Sequence, residues 1–380
     1  MIKIARVVTS NYCIPAHLHN TLVRVPESYK YYVLGDNVTK YSEMYKNVIF
    51  IDVPIARDFS FFKDFYSFFS LAYNLHKIKP DIIHSIMTKA GFFSSILGKI
   101  FFVNIRIHTF TGQVWVYERG IRREFYKLID KIICLLNTDC ITDSKSQSEY
   151  LFLNGIKKNS NPLSVLLKGS LSGVDLNRFN PQNNIDVLEN LRKELGLYKS
   201  DFILGYIARK SLDKGCIDML KVFRIVLSSF PNVKLLFIGP DESNGLLTKF
   251  FDENPNILNN VVNLGFVHNH ENYLGLINLL CLPSYREGFG SIVIDAAAMG
   301  VPTVGYQIPG LVDSIVDSLT GKLVSCGNVL DFSTEVIMFI RDSQFLSKFS
   351  VNAKEYAVNN FNADLINKEL YNYYNKYTFL

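Results

Sequence analysis

Short apolar runs alternate along the chain with longer segments whose apolar positions recur at helical spacing. That alternation is the signature of βαβ units and a parallel sheet. In the first half the strand-like runs are 2–10 (IKIARVVTS), 31–36, 48–53, 81–86, 104–110 and 140–144, with helical segments at 59–78, 90–101 and 119–136. A second series follows at 202–209, 233–239, 261–267, 279–284 and 302–307. The intervening GSLSGVDLNRFNPQNNID (169–186) is rich in Gly, Ser, Asn and Pro and reads as a connector. A chain of 380 residues is also too long for one ordinary core. The pattern predicts an α/β protein with two Rossmann-like domains, residues 1–180 and 181–365, and a cleft facing the carboxyl ends of the strands. A tail, 366–380, carries the aromatics of LYNYYNKYTFL, which need a surface to cover and are expected to pack back on the first domain.

Composition narrows the picture. With 48% hydrophobic and 20% charged residues the chain is globular rather than disordered. A net charge of +5 suits phosphates or an anionic membrane surface but is too small to argue for nucleic acid, and no aromatic–arginine cluster suggests RNA. Six cysteines at 13, 134, 140, 216, 281 and 326 form no metal-like or disulfide-like spacing and read as small apolar residues in a reducing compartment. MIKIARVVTS is a strand pattern rather than a signal peptide, and AGFFSSILGKIFFV (90–103) is too short to span a bilayer. The expected location is cytoplasmic, peripheral at the inner face of the membrane.

REGFGSIVID (286–295) carries the most chemistry. Gly288 and Gly290 permit a tight loop, Ser291 is placed to cap a helix, and Gly300 with Pro302 ends it. Such a helix start offers backbone N–H groups and a positive dipole end to a phosphate or to sugar hydroxyls. Asp295, one turn in, leans back toward that loop. Glu287 and Asp295 either grip two hydroxyl-bearing parts of one ligand or only favour the helix start electrostatically. A dinucleotide loop is excluded because the third glycine is missing and the strand is a late one.

Arg209 and Lys214 in ARKSLDKG (208–215) follow the first strand of the second series. They either clamp a diphosphate, Arg209 in bidentate fashion and Lys214 as a point charge, or are solvated surface charges. His108, in RIHTFTGQVW (106–115), stands at a strand-to-loop switch beside Thr109 and Thr111, as either a site residue or a core histidine. Lys89 ends the preceding strand and is placed to face the same cleft, with Thr109 and Thr111, on the acceptor side. ERGIRREFYKLIDKI (118–132) is a basic amphipathic helix, fit either for an anionic membrane or for ordinary packing. The Phe-rich DFSFFKDFYSFFSLAYNL (58–75) has the same two readings, with core packing the expected one.

Together PDIIHSIMTKAG, RIHTFTG, GSLSGVDLNRF, ARKSLDKG, NLGFV and SYREGFGSIVIDAAAMGVPTVGY resemble the GT4-type glycosyltransferases of GT-B fold that build bacterial O-antigen, capsule and related polysaccharides. The resemblance spans about residues 1–365 and is most specific over 285–310. It implies a retaining, metal-independent transferase that takes a sugar from a nucleoside-diphosphate donor, a UDP-sugar by expectation. The acceptor it implies is a polyprenyl-diphosphate-linked saccharide. No cofactor is expected, and no DxD metal motif occurs in the sequence. By the same resemblance Arg209 and Lys214 would hold the diphosphate and neutralise the leaving group. Glu287 with the amides of Gly288, Phe289 and Gly290 would hold the sugar and phosphate. Asp295 would bind the ribose, and His108 would line the sugar pocket near the anomeric carbon. Two departures stand out: the family's second glutamate is Asp295 here, and TSNYCIPAHL (9–18) replaces its glycine-rich amino-terminal loop. Two rival readings are a nucleotide-sugar epimerase or hydrolase of the same architecture, and a non-catalytic nucleotide-sugar-binding partner of the assembly machinery.

Overall fold

The structure is a computed structural model that describes residues 1–56, 60–157, 159–183 and 185–378, the side chain of Thr378 excepted. Residues 58–59 of the Phe-rich segment and 379–380 of the tail lie outside the described residues. The chain forms two compact units, Met1–Gly173 with Ala363–Leu380, and Val174–Asn362. The divisions fall at 173/174 and 362/363, where the sequence suggested 180/181 and 365/366.

In the first unit, strands β1 (Ile2–Ser10), β2 (Tyr29–Asp36), β3 (Val48–Asp52), β4 (Ile82–Ile86), β5 (Ile105–Phe110), β6 (Asp139–Thr142) and β7 (Ser164–Val165) form a sheet of order β3-β2-β1-β4-β5-β6-β7. Every pair is parallel, and in the central register Arg6 stands opposite Val33 and His84. Both faces are covered, which is why the strands read as continuous apolar runs. Ala5, Val7, Leu34 and Ile83 meet Leu71, Leu75, Phe93 and Leu97 of helices Phe61–Ile78 and Thr88–Ile100. On the opposite face Ile4, Val8, Tyr31, Val33 and Ile82 meet Leu370, Tyr371 and Tyr374 of helix Ala363–Thr378. The C-terminal helix is thus part of the first unit's core.

Helix Phe61–Ile78 corrects the expectation of core packing. Its buried side is Asp64, Ser67, Leu71, Leu75 and Ile78, and Phe61, Phe62, Phe65, Tyr66, Phe69 and Tyr73 are exposed. The aromatics occupy one arc of roughly 140° at 100° per residue, opposite the buried side.

In the second unit, β8 (Phe202–Ile207), β9 (Val233–Ile238), β10 (Val261–Leu264), β11 (Leu279–Leu282), β12 (Thr303–Tyr306) and β13 (Gly321–Val324) pair in parallel in the order β10-β9-β8-β11-β12-β13. The crossover from β10 to β11 moves across the sheet, so the loops after β8 and β11 leave neighbouring strands at a topological switch point. The connector contributes a helix, Ile185–Glu194. Neither β7 nor β13 is signalled by the sequence: two residues are too few to establish a period of two, and β13 is the short, lysine-interrupted GKLV.

Candidate active site

At the carboxyl end of β11 the chain turns through Arg286–Gly290 into helix Ser291–Ala298. Gly290 has φ +81° and occupies the cap position, so Ser291 is the first helical residue instead of the cap, and no side chain caps the helix. The glycine's left-handed backbone makes the turn that a serine there would resist. At the other end Val301 N–H donates to Ala296 O (2.9 Å) and Gly300 N–H to Ala297 O (2.9 Å), with Gly300 at φ +75°. That is a Schellman stop, as the sequence indicates. Phe289 is buried against Phe361, ring centroids 5.2 Å apart, which anchors the loop from beneath.

The loop after β8 is drawn against the end of β11. Gly215 has φ +67°, and a Cβ there would lie 1.8 Å from Pro283 O. This approach brings Lys214 beside Glu287: Nζ lies 2.7 Å from Oε1, with both side chains mostly buried. Lys214 Nζ also donates to Arg286 O at 3.0 Å. Two of the ammonium's three protons are thereby used, and among the described residues nothing takes the third. The Tyr206 hydroxyl, 2.8 Å from Arg209 O and 3.1 Å from Lys214 O, holds the backbone of the same loop.

Arg209 is enclosed by carboxylates. It donates through Nη1 to Glu242 and through Nη2 to Asp213 Oδ2 at 3.2 Å, and Arg286 Nη2 reaches the same Asp213 oxygen at 2.8 Å. Burial alone would raise the Asp213 carboxyl, but hydrogen bonds from Ser211 and Arg286 and the charges of both arginines hold it well below the usual carboxylate range. Neighbouring Lys210 is buried, donates to Asn263 Oδ1 and Leu264 O at 2.6 Å each, and is pushed down to about 8 by desolvation. It ties the Arg209 loop to the end of β10.

Asp295 does turn back toward the loop region, but its oxygen Oδ2 meets His270 Nε2 at 3.2 Å. His270 opens helix His270–Leu274 after β10, and its ring lies 5.2 Å from that of Phe179. His270 has no role in the reading from sequence, although a histidine just beyond a strand's carboxyl end was the available signal. Arg286, Asp213 and Glu242 were passed over in the same way. The second unit's groove of about 430 Å³ lies between Val187–Glu194 and Phe266–Tyr273, and none of the sequence candidates lines it.

The first-unit candidates do not form a second cluster of exposed groups. His108 is 1% exposed and accepts or donates at Nδ1 to Ser85 Oγ, 2.9 Å away. Its ring fills the space that a Cβ on Gly91 would need, 2.4 Å from Cε1, and packs edge-on to Phe110. Burial pushes its pKa down to about 3, so the ring is neutral at pH 7. As placed, His108 is buried beneath helix Thr88–Ile100. Lys89 pairs with Asp64 at 2.8 Å. Thr109 is buried, and Thr111 is half-buried with its carbonyl accepting from Gln113.

Thr109 belongs to a buried polar set. Arg6, 2% exposed, donates through Nη1 to His84 Nδ1 and, at 3.1 Å, to the Tyr374 hydroxyl. His84 Nδ1 is therefore an acceptor, and its Nε2–H donates to Thr109 Oγ1 at 2.7 Å. Burial, then the Arg6 charge, holds His84 well below the usual imidazole range. Among the described residues no carboxylate forms an ion pair with Arg6.

Comparison with known proteins gives this arrangement a family. Residues 187–356 match the family model "Glycosyl transferases group 1". Capsular polysaccharide biosynthesis glycosyltransferase CapM of Staphylococcus aureus is 30% identical over 339 residues, 88% of this chain and 87% of its own length. The chain belongs to the group 1 glycosyltransferases.

Within this family it is 24% identical over 318 residues to the Escherichia coli UDP-Gal:alpha-D-GlcNAc-diphosphoundecaprenol alpha-1,3-galactosyltransferase, covering 81% of this chain and 78% of that one. The fold matches that of Anabaena Alr3699/HepE in complex with UDP and glucose, with TM-score 0.81, 15% identity, and 99% and 100% of the two chains covered. The molecule is thus a glycosyltransferase built of two Rossmann-like domains. The epimerase, hydrolase and non-catalytic readings give way to transfer. The matched segment of this glycosyltransferase contains Arg209, Lys214, Glu287 and Asp295 together.

Proposed function

We propose that this glycosyltransferase moves a sugar, with retention of anomeric configuration and without a metal ion, from a UDP-sugar to a polyprenyl-diphosphate-linked saccharide. The polymer under assembly is a capsule or O-antigen-type polysaccharide. The Lys214–Glu287 pair carries this reading, because it sets a cation and a hydroxyl-binding carboxylate side by side at a helix start. The names of the relatives support the donor and acceptor classes: one uses UDP-galactose and a diphosphoundecaprenol-linked sugar, and the structural neighbour holds UDP and glucose.

In this scheme Lys214 offers its remaining proton to the donor diphosphate. Arg209 shares its guanidinium between that diphosphate and Asp213 and Glu242. As the anomeric C–O bond breaks, the two cations hold the charge that develops on the leaving phosphate oxygen. The acceptor hydroxyl attacks on the face the leaving group vacates, and its proton passes to the diphosphate oxygen. The products are a new glycoside and a nucleoside diphosphate. Glu287 accepts from sugar hydroxyls, the amides of Gly288, Phe289 and Gly290 support sugar and phosphate, and Asp295 accepts from the ribose. The reaction takes place at the inner face of the cytoplasmic membrane, with the protein attached peripherally. Among the described residues no helix is long and apolar enough to cross a membrane.

Thermal-shift screening of UDP, GDP, dTDP and ADP sugars tests the donor class, since a ligand of the native state raises its stability. UDP-sugars are expected to give the largest shift, and transfer to a lipid-linked acceptor is expected to persist in EDTA. A larger shift with another nucleotide, or loss of transfer in EDTA restored by a divalent ion, would overturn the corresponding part.

A further inference from the structure

Helix Gly120–Leu136 repeats what helix Phe61–Ile78 shows. Its buried residues are Asp130, Ile133 and Cys134, and Ile121, Phe125, Leu128 and Leu135 are exposed on the side turned away from them. Helix Thr88–Ile100 packs against both helices on the same face of the first unit's sheet. Two apolar stripes therefore point outward from one helical layer, with Phe62 84%, Phe65 60% and Ile121 88% exposed. Large exposed apolar patches rimmed by polar residues mark interaction surfaces.

The placement is also informative. In a parallel βαβ unit each helix begins at the carboxyl end of the strand before it. The densest part of both stripes, Phe61–Phe69 and Ile121–Leu128, lies in the first halves of the helices. It thus sits at the sheet edge where the loops after β3 and β5 emerge. The charges around the stripes are mostly positive. On the three helices Lys63, Lys77, Lys99, Arg122, Arg123, Lys127 and Lys131 outnumber a single exposed acid, Glu124; Asp130 is buried, and Asp64 and Lys89 are largely buried against each other. Arg123 and Lys127 lie over the ring of the buried Trp115 at 5.7 and 5.5 Å, which fixes their place on this helix. Arg119, just before the second helix, adds another exposed charge.

We infer that this layer is the membrane-docking surface, with the Phe61–Tyr73 and Ile121–Leu135 stripes entering the interfacial zone of an anionic bilayer and the surrounding lysines and arginines meeting its headgroups. Aromatic rings suit that zone because an apolar body and a polar environment meet there. Exposed basic residues complement its negative potential. The assignment rests on the reading of the acceptor as lipid-linked. It would bring the carboxyl edge of the first unit's sheet to the depth at which such an acceptor presents its diphosphate.

The test is flotation of the full chain with phosphatidylglycerol-containing vesicles and with neutral phosphatidylcholine vesicles. The variants are F62S/F65S/F69S and K63Q/R119Q/R122Q, with circular dichroism and Tm verifying the fold. Wild-type protein is expected to float with the anionic vesicles. The aromatic variant is expected to lose more than about tenfold in vesicle affinity, and the charge variant roughly a hundredfold on anionic vesicles only. Transfer to a short-chain, water-soluble acceptor reports on the active site separately. A wild type that binds vesicles but transfers nothing leaves this inference standing and removes the acceptor reading. Equal flotation of wild type and both variants overturns the inference. So does a wild-type dimer in light scattering that the aromatic variant dissociates, which would give the face to a second copy of the chain.

Discussion

Lys214 Nζ sits 2.7 Å from Glu287 Oε1, joining the loop after β8 to the loop after β11 by a mostly buried ion pair. In the proposed reaction the two groups act as one unit. Lys214→Ala and Glu287→Gln are each expected to reduce kcat by about 10² to 10³. The double variant is expected to lose little more than either alone, since a partner left without its counter-charge is already disabled. Multiplying effects in the double variant would show that the pair is not functionally coupled.

Arg209 lies between Glu242 and Asp213, so a donor diphosphate competes with two carboxylates for it. Glu242→Gln removes one competitor and leaves the other. UDP affinity is expected to rise by about fivefold, the effect of one part-exposed ion pair of roughly 1 kcal/mol. Arg209→Ala is expected to weaken UDP and abolish most transfer while the fold survives. Titration calorimetry reads the first and turnover the second; a fall in UDP affinity in Glu242→Gln would show that the carboxylate orients Arg209 rather than competing for it.

The His270–Asp295 contact makes the histidine a positioning residue for the proposed ribose grip. His270→Ala is expected to weaken UDP-sugar binding about tenfold through KM, with kcat little changed. Asp295→Glu, which lengthens the side chain toward the family pattern, is expected to keep binding within a few-fold. A kcat defect in His270→Ala with KM unchanged would count against the ribose assignment.

Acid is expected to destabilise the first unit. His108 takes up a proton in the folded state only near pH 3, against 6.5 for an ordinary imidazole, and His84 is depressed in the same direction. Between those values the unfolded chain binds more protons, so stability falls as pH drops below about 6.5 by up to ~1.4 kcal/mol per unit for each histidine. Urea unfolding from pH 7 to 4 should show this slope, reduced in His108→Gln. An unchanged slope would mean that His108 does not carry it.

Gly215 is the point where the two loops come closest. Gly215→Ala places a Cβ against Pro283 O and forces a left-handed alanine. A loss of at least about 2 kcal/mol in stability, or a displaced loop with weakened UDP binding, is expected. Wild-type Tm together with wild-type UDP affinity would contradict it.

Much of the second unit was legible because its chemistry is local. Gly288, Gly290, Gly300 and the spacing of Glu287 and Asp295 define a strand, a loop and a helix within one stretch of chain. The partners of those residues were less so. His270, Asp213 and Glu242 reach the candidate residues only through tertiary placement, and periodicity carries no information about which strand end meets which. His108 shows the same limit, since a strand-end histidine reads alike whether its ring faces a cleft or, as here, the underside of Gly91. In helix Phe61–Ile78 the phase mattered more than the composition. Asp64 and Ser67 lie on the buried side, Asp64 paired with Lys89 and Ser67 bonded to backbone carbonyls, while the phenylalanines lie on the outside. Counting aromatics places such a helix in the core; following the 100° step from Leu71 and Leu75 turns it over.

The helix Ala363–Thr378 has a consequence for the order in which the molecule is made. Tyr374 completes the setting of Arg6, yet a ribosome synthesises the whole of Val174–Asn362 between them. The nascent first sheet therefore waits with a buried-to-be guanidinium and an uncovered apolar face until the second unit has been produced and can fold as an uninterrupted segment. Maturation of the amino-terminal half is in this sense a late event, governed by the arrival of the carboxyl-terminal helix rather than by the sequence that begins the chain.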